Sequence, residues 1–289
     1  MPPASALIKG ALPTVYFVYR PDRWHRVDAA VIDEVTVTLH VNGQALTSFM
    51  CSPVGLEAMA LGFLRNEGLI AGLEEVELVK LSHSSTCVDV WLRREFMAPS
   101  HAIRTSGCSG GITFDDLAGQ RPSLPLGDPV TPQQVIARYF ELRAAETLYP
   151  ITRGVHASAL CTPEALLLLA EDVGRHNTLD KLAGKAMLER VDTAGCLIVT
   201  TGRISSEMLG KAAKLGVPVV ASRTSPTSRS VALAQAWNIT VIGYVRRDSL
   251  RVYSAPDRLV HEEQKSEGPP MTTDEHGWSA MKEGDDGAP

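Results

Sequence analysis

The stretch from residue 155 to 255 most constrains the fold, because short apolar runs alternate there with amphipathic ones. Two runs, VHASALCT and ALLLLAEDV, meet across Thr162-Pro163-Glu164 and read as an antiparallel strand pair, and the helix HNTLDKLAGKAMLER comes next. Strand GCLIVTTG, helix SSEMLGKAAKLG, strand VPVVASR, helix SPTSRSVALAQAWN and strand ITVIGYV then follow in turn, with a last short strand near RVYSA. Strands alternating with helices of this length imply a largely parallel sheet covered on both faces, an α/β fold.

A second, smaller unit precedes it. VTVTLHVNG alternates with the strand period and ends on Asn42-Gly43, a strong hairpin-turn signal, and ALTSFMCS continues beyond. GLEAMALGFLRNEG places Leu56, Met59, Ala60, Phe63 and Leu64 on one helical face and stops at Gly68; strands from Val76 to Leu81 and from Cys87 to Leu92 follow. These elements predict an α+β domain over residues 26–103. RTSGCSGGITFDDLAGQRPSLPLGDP, rich in Gly and Pro and without periodicity, reads as a loop or linker over 104–129. The larger domain opens with the helix PQQVIARYFELRAAETL and runs over 130–261. Residues 1–25, with four prolines, and the acidic stretch 262–289 read as flexible tails.

Composition narrows the function classes. Of 289 residues, 44% are hydrophobic and 21% charged, which suits a globular protein with one large core or two smaller ones. A formal net charge of -5 offers no general attraction for nucleic acid or anionic lipid, and no apolar run reaches the length that spans a bilayer. The N-terminus lacks a secretory pattern, so a cytoplasmic protein is expected. Five scattered cysteines argue against a disulfide framework, and with no C-x-x-C pair no zinc site built from cysteine pairs is expected.

Three segments carry candidate chemistry. Cys108 lies in TSGCSGG, where flanking glycines let the backbone turn sharply and leave the thiol open to a large partner; the alternative is a glycine-rich turn that happens to hold a cysteine. Cys51, Cys87, Cys161 and Cys196 sit in or beside apolar strand-like segments and read as buried thiols. TTGRISSEM puts Thr200, Thr201 and Gly202 at the carboxyl end of a strand, with Arg203, Ser205 and Ser206 leading into a helix. That arrangement suits a phosphate or an ordinary capped helix. Ser222 and Arg223 repeat it after the next strand, at the sheet end where ligands of open α/β sheets bind. In EDVGRHN, Arg175 and His176 are candidate ligand contacts oriented by Asp172, or else members of a capped helix with internal ion pairs. His156 fits a core histidine, and LRVYSA an edge strand.

These residues resemble one known family, the sulfurtransferase accessory proteins of formate dehydrogenase called the FdhD family. The similarity runs through VNG, MCSP, LGFLRNEGLI, TSGCSGG, GVHASAL, EDVGRHNTLDKLAG, TTGRISSEMLGKAAKLGVPVVASRTSPTSRSVALA and RVYSAPDR. It implies a cytidine-deaminase-like mixed sheet sandwiched by helices, usually in a homodimer, with the smaller α+β domain in front. It also implies that a cysteine desulfurase loads a persulfide on Cys108. The sulfur then passes to the molybdenum bis(molybdopterin guanine dinucleotide) cofactor, before that cofactor enters the formate dehydrogenase catalytic subunit. By the same resemblance the segment Leu250, Arg251, Val252, Tyr253, Ser254 and Ala255 is associated with cofactor binding. Two positions depart from the family pattern: Gly111 stands where many relatives carry a second cysteine, and Arg153 stands where glycine is expected.

Two other functions compete. A chaperone would hold and deliver the same cofactor without sulfur chemistry. A zinc deaminase would need H-x-E with P-C-x-x-C, but His156 is followed by Ala157 and Ser158, so no resident metal is expected.

Overall fold

The structure, a computed structural model, describes residues 8–99, 103–104, 112–114 and 122–260. It begins with a hairpin: β1 (Ala11–Arg20) pairs with β2 (Arg23–Ile32) antiparallel over their full length. This corrects the expectation of a flexible tail through residue 25. Prolines suggested a loop, but Pro13 is tolerated in a sheet of only two strands, and the aromatic and β-branched run TVYFVY supplies strand propensity. The hairpin is rooted where Ala11, Ala30 and Ile32 pack against Leu148, Tyr149 and Val155.

The small domain follows its sequence pattern closely. β3 (Val35–Val41) turns through Asn42 and Gly43, both at positive φ as a tight primed turn requires, into β4 (Gln44–Cys51). Helix α1 (Leu56–Asn66), β5 (Val76–Leu81) and β6 (Cys87–Leu92) complete it, with sheet order β4-β3-β6-β5. Alternation sends Val37, Leu39, Val41, Val88 and Val90 inward against Leu56, Met59, Ala60, Phe63 and Leu64 of α1. Two short strands, β7 (Ile103–Arg104) and β8 (Ile112–Thr113), pair antiparallel beyond it.

Helix α2 (Pro132–Ala145) opens the larger unit with proline at its first turn and a capping box between Thr131 and Gln134. After the short α3 (Tyr149–Thr152) come β9 (His156–Cys161), β10 (Leu166–Asp172), α4 (Arg175–Glu189), β11 (Leu197–Thr200), α5 (Ser206–Lys214), β12 (Val219–Ser222), α6 (Ser228–Ala236), β13 (Thr240–Gly243) and β14 (Arg251–Val252). Their sheet order is β10-β9-β11-β12-β13-β14. Only the β11–β12 and β12–β13 pairs are parallel, and the β10–β9, β9–β11 and β13–β14 pairs are antiparallel. The sheet is therefore mixed rather than largely parallel: a tight turn at Thr162 to Ala165 pairs β9 antiparallel with β10, and the chain after β13 returns antiparallel as β14. Leu197 and Val199 of β11 face α2, while Ile198 faces α4 and α5, so both faces are covered.

The two units meet along α1 and α4, backbone against backbone. A Cβ on Gly62 would lie 1.7 Å from the Asp180 carbonyl oxygen, and one on Gly184 would lie 1.8 Å from that of Ala58. At the far end of the sheet Arg258 is fully buried and donates to the carbonyls of Pro125, Leu126, Pro218 and Asn238 and to Thr240 Oγ1. It ties the segment before α2 to the underside of β12 and β13. Among the described residues no helix is long and apolar enough to cross a membrane.

Candidate functional site

The loops after β11 and β12 and the N-termini of α4 and α5 converge at one end of the larger sheet. Thr200 closes β11, and its hydroxyl accepts from Gly202 N–H at 3.2 Å and contacts Ser158 Oγ at 2.8 Å. Ser158 Oγ also lies 2.6 Å from Thr178 Oγ1, so buried hydroxyls link three elements. Thr201 exchanges bonds with the backbone of Ala157. Gly202 passes so close to α4 that a Cβ there would sit 2.9 Å from Arg175 Cβ. The next loop is stitched to this one. Ser222 Oγ donates to the Gly202 carbonyl at 2.8 Å, and Ile204 pairs with Pro226. Arg203 and Arg223 are exposed and Arg175 is buried against Gly202, so the ridge carries two exposed guanidinium groups beside two helix N-termini. Such a surface attracts phosphate-like anions.

Behind the ridge runs a buried polar network. His176 Nε2 lies 3.0 Å from Ser205 Oγ, the N-cap of α5, and 3.4 Å from Glu207 Oε2. Glu207 favours a charged ring, but its other oxygen is engaged by Lys211 at 3.6 Å. Burial, with Lys211, Arg175, His156 and Arg203 nearby, pushes His176 down to about 2, so the ring is neutral. His156 is lowered for the same first reason, burial, and by Arg175. Lys211 bonds Asp180 at 2.6 Å, and Asp180 also accepts from Asn66 at 2.7 Å. Burial opposes the Lys211 charge, yet Asp180, Glu207 and Glu67 together outweigh it and hold the ammonium above its usual range.

Glu67, at the C-cap of α1 and next to Asn66, carries the network on to β8. Its carboxylate accepts from Thr113 Oγ1 at 2.9 Å and from Phe114 N–H at 2.7 Å. Strands β7 and β8 flank residues 105–111 in sequence, so Glu67 anchors β8, which follows Cys108 in the chain. Cys108 and Gly111 themselves lie outside the described residues. Glu67, Glu207 and Lys211 were not singled out in the sequence. The available signal was charge embedded in apolar helix: Glu207 and Lys211 are four residues apart in SEMLGKAA, flanking the buried Met208 and Leu209, with buried Ala212 next.

Other expected site residues take varied positions. Ser206 begins α5 and is half-buried. Leu250 packs against the core on the α2 side, while Arg251 lies over the Tyr244 ring at 4.3 Å and Val252 is exposed. Tyr253 packs closely on Gly243, beside the Thr224 carbonyl, and so reaches the strand-end ridge. Ser254 accepts from Val241 N–H and donates to the Ile239 carbonyl, and the Ala255 carbonyl accepts from Thr240 Oγ1. The segment thus runs from the ridge at Leu250 and Arg251 back to the opposite end of β13. Asp172 bonds Lys181 at 2.5 Å, the ion-pair alternative raised for EDVGRHN. Arg153 adopts positive φ, 56°, at the end of α3, a conformation that glycine takes more easily.

The FdhD/NarQ family model matches residues 32–260. The chain belongs to the FdhD/NarQ family. It is 34% identical to the sulfur carrier protein FdhD of Staphylococcus aureus (strain MRSA252), over 81% of this chain and 90% of that one. It is 33% identical to the protein of the same name from Shouchella clausii (strain KSM-K16), over 81% and 91%. Among solved structures, a putative formate dehydrogenase accessory protein from Desulfotalea psychrophila superposes with a TM-score of 0.72 at 27% identity, covering 86% of this chain and 99% of that one. The FdhD/NarQ match begins at Ile32, so β1 and nearly all of β2 lie outside it.

Proposed function

We propose that this FdhD/NarQ protein is a cytoplasmic sulfur carrier for formate dehydrogenase maturation, acting through Cys108. The observation that carries the reading is the bonded network from Asn66 and its neighbour Glu67 through Asp180, Lys211 and Glu207 to His176, which joins the strand that follows Cys108 to an arginine-bearing ridge suited to phosphates. The names of the relatives support it. The Cys108 thiolate attacks the persulfide of a cysteine desulfurase; the donor leaves as its thiolate, and Cys108 keeps the sulfane sulfur without net oxidation. The molybdenum bis(molybdopterin guanine dinucleotide) cofactor is the sulfur acceptor and is handed on to the formate dehydrogenase catalytic subunit. Arg203, Arg223 and Ser206 receive its nucleotide phosphates, on strand-end loops whose shape Thr201, Gly202 and Ser222 hold through their bonds to Ala157, Thr200 and the Gly202 carbonyl, with Arg175 and His176 behind them and Leu250 to Ala255 at the flank. A homodimer and a deaminase-like core belong to the same reading, the latter supported by the antiparallel pair set beside three parallel strands.

Mass spectrometry after incubation with a cysteine desulfurase and cysteine tests the sulfur step. The peptide holding Cys108 is expected to gain the mass of one sulfur atom, and Cys108→Ala to gain none. A wild-type protein that stays unmodified would leave the chaperone reading in its place. The ridge is tested separately with GDP as probe. Arg203→Ala and Arg223→Ala, both exposed and so harmless to folding, are each expected to weaken GDP binding about tenfold through loss of a charge-assisted bond. Unchanged affinity in both would move the nucleotide elsewhere.

A further inference from the structure

The outer face of the small sheet carries a second constellation, built by strand register. Since Val37, Leu39 and Val41 point into the core, alternation turns Thr38 and His40 the other way. β6 lies parallel beside β3, with Cys87 opposite Thr38 and Asp89 opposite His40. Val88 and Val90 are buried, so Cys87 and Asp89 share the face of His40. His40 Nδ1 lies 3.0 Å from Cys87 Sγ and 3.7 Å from Asp89 Oδ1, and the three donor atoms are all within 4.8 Å of one another. All three residues are half-buried. The backbone of Cys87 is held by Ser82, whose hydroxyl accepts from Cys87 N–H at 3.0 Å and whose own N–H donates to the Cys87 carbonyl.

A nucleophile, base and orienting acid in series would use both ring nitrogens of the histidine. Here thiol and carboxylate converge on the same one, Nδ1, which is how ligands surround a cation. We propose that His40, Cys87 and Asp89 form a binding site for a zinc-class divalent cation. Thiolate and imidazole donors favour Zn²⁺ or Co²⁺ over Mg²⁺ and Ca²⁺, and three protein ligands leave a fourth position for water or an external donor. Binding releases the Cys87 proton to solvent and changes no oxidation state. Burial and the Asp89 carboxylate hold the Cys87 thiol above its ordinary range, and a dication beside both groups offsets that cost. The site lacks the paired cysteines whose absence argued against zinc: His40 and Cys87 are 47 residues apart and meet only through the β3–β6 register. It stands independently of the sulfur-carrier reading.

The test is titration of the full-length, reduced, chelator-treated protein with Co²⁺, followed by displacement with Zn²⁺. A thiolate-to-cobalt charge-transfer band is expected to saturate stoichiometrically, to be absent in Cys87→Ser, and to persist in Cys108→Ser. His40→Gln and Asp89→Asn should weaken binding at least ~10-fold, since even indirect supports of a metal site cost that much. Zn²⁺ should raise the melting temperature of the wild type and not of Cys87→Ser. Should Cys87→Ser fail to fold by circular dichroism, His40→Gln and Asp89→Asn decide. No band in the wild type, a band surviving in Cys87→Ser, wild-type affinity in the other two variants, or loss of the band in Cys108→Ser overturns the proposal.

Discussion

Gly184→Ala is expected to destabilise the protein by ~3 kcal/mol, the upper end of the usual overpacking range and the opposite sign from that dictated by helix propensity. In an exposed helix interior the change would stabilise by about 1 kcal/mol, because alanine restricts the unfolded chain and favours the helix. In α4 the new methyl carbon would lie 1.8 Å from the Ala58 carbonyl oxygen and 2.5 Å from its carbon. Both are backbone atoms of α1, which no rotamer change can move aside. The helices must separate, opening gaps along the seam where Gly62 meets Asp180, and overpacking in such places costs from 1 to several kcal/mol. Urea unfolding of the full chain measures the change in midpoint. A neutral or stabilised Gly184→Ala would show that the units do not pack this closely. Because Asn66 of α1 bonds Asp180, the variant should also loosen the support behind Lys211 and the hold of Glu67 on β8.

How far such features were legible depends on whether their causes are local. Asn42-Gly43 announced its hairpin because a primed turn needs those two residue types and nothing distant. Ser205 announced the start of α5, where its hydroxyl accepts from Met208 N–H, and the alternation after residue 155 announced the larger sheet. Sheet order was less legible, since β10-β9-β11 pairing depends on which runs find each other in space. β1 was hidden by Pro13, whose meaning changes in a two-stranded ribbon. At the ridge, the backbone placement of Thr201, Gly202, Ser222 and Arg223 could be read from strand-to-helix transitions. The use of each hydroxyl could not: Ser222 turns to the Gly202 carbonyl and Ser254 to Ile239. Gly62 and Gly184 were visible as glycines in apolar helices, with no indication that each was the other's partner. Glu67 was visible only as the end of a helix, and its role depends on where residues 113 and 114 return.

Lys181→Met is expected to cost about 3–5 kcal/mol, the range for removing one partner of a buried ion pair. Lys181 is 2% exposed, and its ammonium donates to Asp172 at 2.5 Å and to the carbonyls of Glu171 and Ser52 at 3.2 and 3.3 Å. Asp172, fully buried, also accepts from Ser52 N–H, Gly174 N–H and Asn177 Nδ2. The pair therefore ties the MCSP segment, through Ser52, to the end of β10 directly before Arg175 and His176 and to the second turn of α4. Methionine matches the stem of lysine in length, so packing is largely retained, and what is lost is the charge facing Asp172. That carboxylate keeps three donors, which limits the penalty without removing it. Asp172→Asn in the Lys181→Met background removes the stranded charge and should recover part of the loss. Equilibrium unfolding of the two single variants and the double variant gives the coupling directly. A cost under about 1 kcal/mol for Lys181→Met, or no recovery in the double variant, would reduce the ion pair to one contact among many at the seam.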